Sequence, residues 1–202
     1  NISTWSKIGF NAAVTTEQDI APWLGAGSTP ANIYSWPTGA TTMTIVSSSV
    51  EDDPVKADTS AGSGAWTVTI FYLTTAYVEK SVTVTMNGTA AVTIANDIFR
   101  IQNARITTCG TSLAAVGNLT IAAGGNTYGY ISATKTRQGQ MTWTVPAGKT
   151  LYVTSIAFSS SGQAAGKYVR FTTRATYDDK SDSLTQAGLF MPYNEIVTNN
   201  TA

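Results

Sequence analysis

The chain contains no histidine and a single cysteine, Cys109. Without histidine the commonest general base is missing, and zinc sites that use imidazole are excluded. A Ser-His-Asp or Cys-His mechanism therefore cannot be assembled from this chain alone. One cysteine rules out an internal disulfide and argues against an all-cysteine metal site. Charge is scarce too: Asp, Glu, Lys and Arg make up 12% of the 202 residues, about half the usual share. The 12 basic and 12 acidic side chains cancel and are dispersed, so no cluster offers the phosphate-neutralising footprint that nucleic acid requires. No apolar run approaches the roughly 20 residues of a membrane-spanning helix. The expectation is a chain with no cofactor, no nucleic-acid partner and no membrane partner.

In place of charge the chain is rich in Thr, Ser, Gly, Ala and Asn. Threonine at this density favours strands, because branching at Cβ suits the pleated backbone. A net charge of zero leaves little self-repulsion between copies, which favours a protein that works assembled.

Residues 1–40 are poorly periodic and read as an irregular N-terminal arm. From Thr41 onward the apolar period is two, the spacing of a half-buried strand. Strands are expected at 42–46, 66–73, 78–86, 89–94, 97–109, 119–121, 128–131, 141–145, 150–158 and 167–177. Asn87-Gly88 predicts a hairpin turn between the third and fourth, since both residues tolerate positive φ. Short strands at regular spacing, with turn chemistry between them, predict an all-β fold, an antiparallel β-sandwich or jelly roll over 41–178. Residues 179–202 read as a C-terminal tail.

No catalytic residue is singled out. Glu51-Asp52-Asp53, with Asp58 nearby, is the densest oxygen-ligand cluster, but it lacks the alternating spacing of an EF-hand loop. Turn solvation is the stronger reading there and at Asp178, Asp179 and Asp182. A glycosidase would need two carboxylates about 5 to 10 Å apart, and nothing selects a pair among Glu51, Asp52, Asp53, Glu79, Asp97 and Asp178. Cys109, at a strand end, reads as a small buried apolar residue, and Trp66 and Trp143 read as core. The aromatics of the arm, Trp5, Phe10, Trp23, Tyr34 and Trp36, are too many for a linker. A subunit-contact surface is favoured over a sugar-stacking platform, because aromatics are enriched at interfaces.

Several short motifs then fall in order. They are Tyr34-Ser35-Trp36-Pro37, Gly64-Ala65-Trp66-Thr67-Val68, Glu79, Asn87-Gly88-Thr89 and Phe99-Arg100-Ile101. Gly117-Asn118, Gln140-Met141 and Val145-Pro146-Ala147-Gly148-Lys149-Thr150 with Tyr152 follow. In this order they resemble a family of tailed-bacteriophage virion proteins, over about residues 34 to 175. Trp66 and the Leu73-Thr74-Thr75 turn depart from its commoner pattern. The resemblance implies a structural role and no reaction. The leading expectation is a head decoration or cement protein on the capsid exterior, a homotrimer bound to the major capsid protein. The alternative is a tail, baseplate or head-fibre protein that binds a host-surface glycan.

Overall fold

The computed structural model describes residues 37–139, 142–152 and 154, and the backbone of 168–175 and 190–198. Among these residues there is no helix, and nine strands run in chain order. They are β1 (Thr41–Ser47), β2 (Ala65–Leu73), β3 (Glu79–Thr85), β4 (Val92–Ile98), β5 (Arg100–Cys109), β6 (Leu119–Ala123), β7 (Asn126–Ile131), β8 (Tyr168–Ala175) and β9 (Phe190–Thr198). The chain divides into two compact units, 1–149 and 150–202.

The first unit holds two antiparallel sheets, one in the order β4-β1-β6-β7 and one in the order β3-β2-β5. Alternation along each strand sends one set of side chains between the sheets, and the fold is an all-β sandwich, as the period-two pattern predicts. Met43 and Ile45 of β1, Leu119 and Ile121 of β6 and Ile131 of β7 meet Val68, Ile70 and Tyr72 of β2 and Ala104 of β5 in one core. Burying each large aliphatic side chain contributes about 1.5–3 kcal/mol.

Three connections differ from the sequence expectation. First, Asn87-Gly88 does not close a hairpin: β3 pairs with β2, whereas β4 pairs with β1 in the other sheet. Gly88 does adopt positive φ (53°), but its N–H donates to Asp52 O and its carbonyl accepts from Ser47 N–H. The left-handed turn is thereby pulled into an arch between sheets. Second, the alternating run 97–109 is two strands, with the change of sheet at Phe99, whose N–H donates to Leu73 O. Buried Arg100 caps this crossing: its guanidinium lies 3.7 Å from the Phe99 ring centroid and donates to the carbonyls of Pro37 and Phe99. The edge of Tyr77 meets the same ring, with centroids 5.6 Å apart.

Third, residues 142–145 are not a strand. Neighbouring Thr136 and Gln138 do bond to the β5 backbone, but Thr144 is held by a side chain instead. Its N–H donates to Gln102 Oε1 at 3.1 Å, and its carbonyl accepts from Gln102 Nε2. One amide thus imitates a ladder rung for a segment whose period-two pattern alone suggests a strand. The observed hairpins lie at β2–β3, through the Thr74–Tyr77 turn, and at β6–β7. Gly124 and Gly125 make the latter turn at φ 55° and 82°, values that side chains resist.

In the second unit β8 and β9 form an antiparallel pair, with Tyr168 opposite Thr198 and Thr172 opposite Asn194. β8 falls where a strand is expected, and β9 falls in the stretch read as a tail. Most of the strand expected at 150–158 lies outside the described residues.

Candidate functional site

At one end of the sandwich the chain gathers on a single carboxylate. Asp52 is fully buried, and it accepts four hydrogen bonds. The donors are Ser47 Oγ (2.6 Å), Ala65 N–H (2.6 Å), Val116 N–H (2.9 Å) and Gly117 N–H (2.8 Å). An ionised carboxylate offers about four lone-pair directions, so this acceptor is saturated. The donors come from the end of β1, the start of β2 and the approach to β6. Charge-assisted bonds of this kind are the strong ones, and burial leaves no water to replace them.

Glycines make the convergence possible. A Cβ on Gly64 would overlap the Asp52 carboxylate, and one on Gly117 would crowd Ser47 Oγ and the Ser49 backbone. Gly62 and Gly110 likewise sit against backbone that a Cβ would strike. Gly110 N–H donates to Gly64 O, and Gly64 N–H donates to Glu51 O. The Ser112 hydroxyl and N–H both reach Ser63 O, which stitches the 110–117 loop to the start of β2.

The other acidic residues of the expected cluster are each engaged locally. Glu51 forms an ion pair with Lys56 at 2.8 Å and accepts from Ser63 N–H and Oγ. The Lys56 hydrogen bond is the main reason its carboxyl is held below the usual range. Asp53 Oδ1 accepts from Val55 N–H, and Asp58 Oδ1 accepts from Ser60 Oγ and N–H, which lower the Asp58 carboxyl. Asp97 is lowered mainly by the Lys80 ammonium at 2.6 Å. A general acid at a glycoside bond needs a shift in the opposite direction. Among the described residues no group of three or more Cys, Asp or Glu side chains is arranged to hold a metal ion. The turn-solvation reading describes exposed Asp58, whereas Glu51 is tied to Lys56 and Ser63 and both Asp52 and Asp53 are buried.

Against this rigid base stand side chains that the fold does not bury. Leu113 is 73% exposed, Val50 57% and Val116 38%. Leu113 also holds φ at 56°, a left-handed conformation that is a clear outlier for a bulky residue. An exposed leucine in a strained backbone gains nothing from the core, so an external role accounts for it better than folding does. Val50 lies two residues before Asp52, and Leu113 and Val116 lie in the 110–117 loop, whose Val116 and Gly117 N–H groups donate to that carboxylate. The sequence hides this group: Leu113 and Val116 fall between Gly110 and Gly117 in a stretch without strand period, which composition reads as loop.

A second surface is the outer face of the β3-β2-β5 sheet. Thr67, Thr69 and Phe71 of β2 point outward, opposite Thr85, Thr83 and Ser81 of β3. The Thr69 hydroxyl bonds with those of Thr83 and Thr107, and Thr67 bonds with Thr108. The Arg105 guanidinium lies 5.1 Å from the Phe71 ring centroid. The face is rich in hydroxyls, with Arg105 and Glu79 as its charges.

The expected interface aromatics Trp5, Phe10, Trp23, Tyr34 and Trp36 lie outside the described residues, as do Asp178, Asp179 and Asp182. Trp66 is in β2 but half-buried, because the β2–β5 register shifts beside it, and its Nε1 donates to Gly62 O at 2.7 Å. Trp143 is half-buried and outside any strand, and Cys109 is half-buried at the end of β5. Compared with known proteins, the chain matches no family model, no curated protein and no solved structure.

Proposed function

We infer that this chain is a non-enzymatic structural protein of a tailed-phage virion, a capsid decoration protein that attaches to the major capsid protein lattice. The observation that carries the reading is the exposed, left-handed Leu113 in the loop that Val116 and Gly117 fasten to Asp52. It combines a strained, exposed leucine with loops that cannot easily retreat, which is the build of a docking tip. The phage resemblance supplies the partner. Its motifs fall at joints of the fold: Gly64-Ala65 at the Asp52 fastening, Asn87-Gly88 at the arch and Phe99-Arg100 at the sheet crossing. A trimer on the capsid exterior is the assembly that the resemblance implies. The alternative, a tail or fibre protein that binds a glycan, draws on a different observation, the hydroxyl face with Phe71 and Arg105.

The test is the copy number of the chain in purified particles, measured by mass spectrometry against the major capsid protein, together with binding of Leu113→Asp to particles stripped of the chain. A decoration protein gives a ratio near one-to-one or a simple fraction of it, and the variant binds at least tenfold more weakly. A few copies per particle, with Leu113→Asp still bound, would move the chain to the tail, and absence from particles would end the virion reading.

A further inference from the structure

The β3 strand lies at the edge of its sheet, and the alternation of its bonds can be worked out. Thr74 N–H donates to Val78 O, and Met86 N–H donates to Trp66 O. In an antiparallel ladder bonded and non-bonded pairs alternate, so Lys80, Val82 and Val84 turn their backbone groups toward β2. Glu79, Ser81, Thr83 and Thr85 therefore aim N–H and C=O away from the sheet. No described residue bonds to that edge, and all four are exposed.

Proteins usually blunt such an edge with charge, proline or a bulge. Here the only charges, Glu79 and Lys80, sit at one end, and the remaining run is Ser81-Val82-Thr83-Val84-Thr85. The β2–β3 register continues without a shift from Thr67↔Thr85 to Leu73↔Glu79, whereas β1–β4, β2–β5 and β6–β7 all carry bulges. β5, the opposite edge of the same sheet, is covered by the Arg105–Arg137 bridge and by bonds from Thr136 and Gln138. β3 is thus a regular strand of 7 residues with strong β-propensity and a row of donors and acceptors to which no described residue bonds.

We propose that β3 pairs antiparallel with β3 of a second copy of this chain, about a two-fold axis at Val82. The sequence of the edge selects this occupant. In that register Val82 faces Val82, Ser81 faces Thr83 and Glu79 faces Thr85 of the second copy, so all seven residues are paired. The outward groups of Glu79, Ser81, Thr83 and Thr85 all fall in hydrogen-bonded pairs. Val82 meets Val82 on the inner face and Ser81 meets Thr83 on the outer, both favourable cross-strand combinations, while Lys80 lies beside Val84 and Glu79 beside Thr85 with no like charges opposed. The charged residues of the two copies lie at opposite ends of the junction, and a chain of zero net charge adds no general repulsion. Two three-stranded sheets become one of six strands, with the threonine face continuous across the axis. This pairing is independent of the virion reading and joins chains in twos, whatever else joins them.

The full chain is measured by sedimentation equilibrium from 1 to about 100 μM, in the working range of strand-pairing interfaces. The expected wild-type mass is an even multiple of 21.2 kDa, falling by half in Thr83→Pro. That substitution removes an outward N–H and spares the bonds to β2. The surface double variant Ser81→Lys/Thr83→Lys gives the same fall by setting lysines against each other, and unchanged circular dichroism shows that the fold is kept. In a Cys109→Ala background, Val82→Cys oxidises to a disulfide-linked pair, because non-hydrogen-bonded partners sit about 4.5 Å apart at Cα. Thr85→Cys, which faces Glu79, does not. A monomeric or odd-numbered wild type, a mass that neither edge variant changes, or equal crosslinking at both cysteines would overturn the pairing.

Discussion

Gly64 and Gly125 are both glycines in turns, yet the fold asks different things of them. At Gly125 the demand is conformational: φ is 82°, and nothing lies within 4 Å of where a Cβ would stand. At Gly64 the demand is spatial, because the position is filled by the Asp52 carboxylate. Gly125→Ala should cost about 1 kcal/mol, the usual strain of a side chain in the left-handed region. Gly64→Ala should cost about 3 kcal/mol or more, since it displaces a buried carboxylate from its donors. Urea denaturation of the two variants checks the ranking, and near-equal losses would mean that Asp52 can relocate. At this scale the sequence is least informative. Glu51-Asp52-Asp53 reads as three equivalent turn acids, and only the fold reveals that the middle one is enclosed by amides from Ala65, Val116 and Gly117, far along the chain.

Between elements, β3 and β4 belong to different sheets and are joined by a polar clasp. Lys80 Nζ and Tyr72 OH both donate to Asp97, at 2.6 and 2.9 Å. The Asp97 carboxyl is lowered, so its contribution to stability is present above the ordinary carboxylate value, about 3.9, and is lost as pH falls through the lowered value. Lys80→Met should therefore reduce the melting temperature at pH 7, and the loss should shrink as pH falls below the ordinary carboxylate value, which thermal unfolding against pH measures. Desolvation, with Asp97 beside it, pushes the Tyr72 phenol up to about 12, so stability should also fall between about pH 10 and 12 as the unfolded chain ionises first. Element positions were largely legible, because period-two burial is written into β1 and most of β2. Their partners were not. Asn87-Gly88 has hairpin chemistry, but the bonds offered by Asp52 and Ser47 redirect it, and Gln102 supplies with one side chain what the pattern at 142–145 assigns to a strand.

For the molecule as a whole, the proposed function sets folding and attachment in opposition at Leu113. Its φ of 56° costs the fold about 1 kcal/mol, a strain that asparagine largely avoids. Leu113→Asn should raise the unfolding free energy by up to that amount while weakening attachment to particles. Measuring both on the same preparation decides whether the residue serves the fold. A loss of stability together with intact attachment would show that Leu113 belongs to the core economy of its loop. The sandwich class was legible from composition and period, since weak charge and abundant threonine leave few other ways to bury a core. The fastening of the 110–117 loop was not, because segments more than 60 residues apart meet there through Asp52 and the Ser48–Asn118 bonds.

That carboxylate takes main-chain N–H groups from Ala65, Val116 and Gly117, and only Ser47 contributes a side chain. It is therefore indifferent to the identity of the side chains at 50, 113 and 116. Evolution can rewrite the tip one residue at a time without renegotiating the architecture beneath it, and a protein engineer can use the same three positions to graft a foreign epitope.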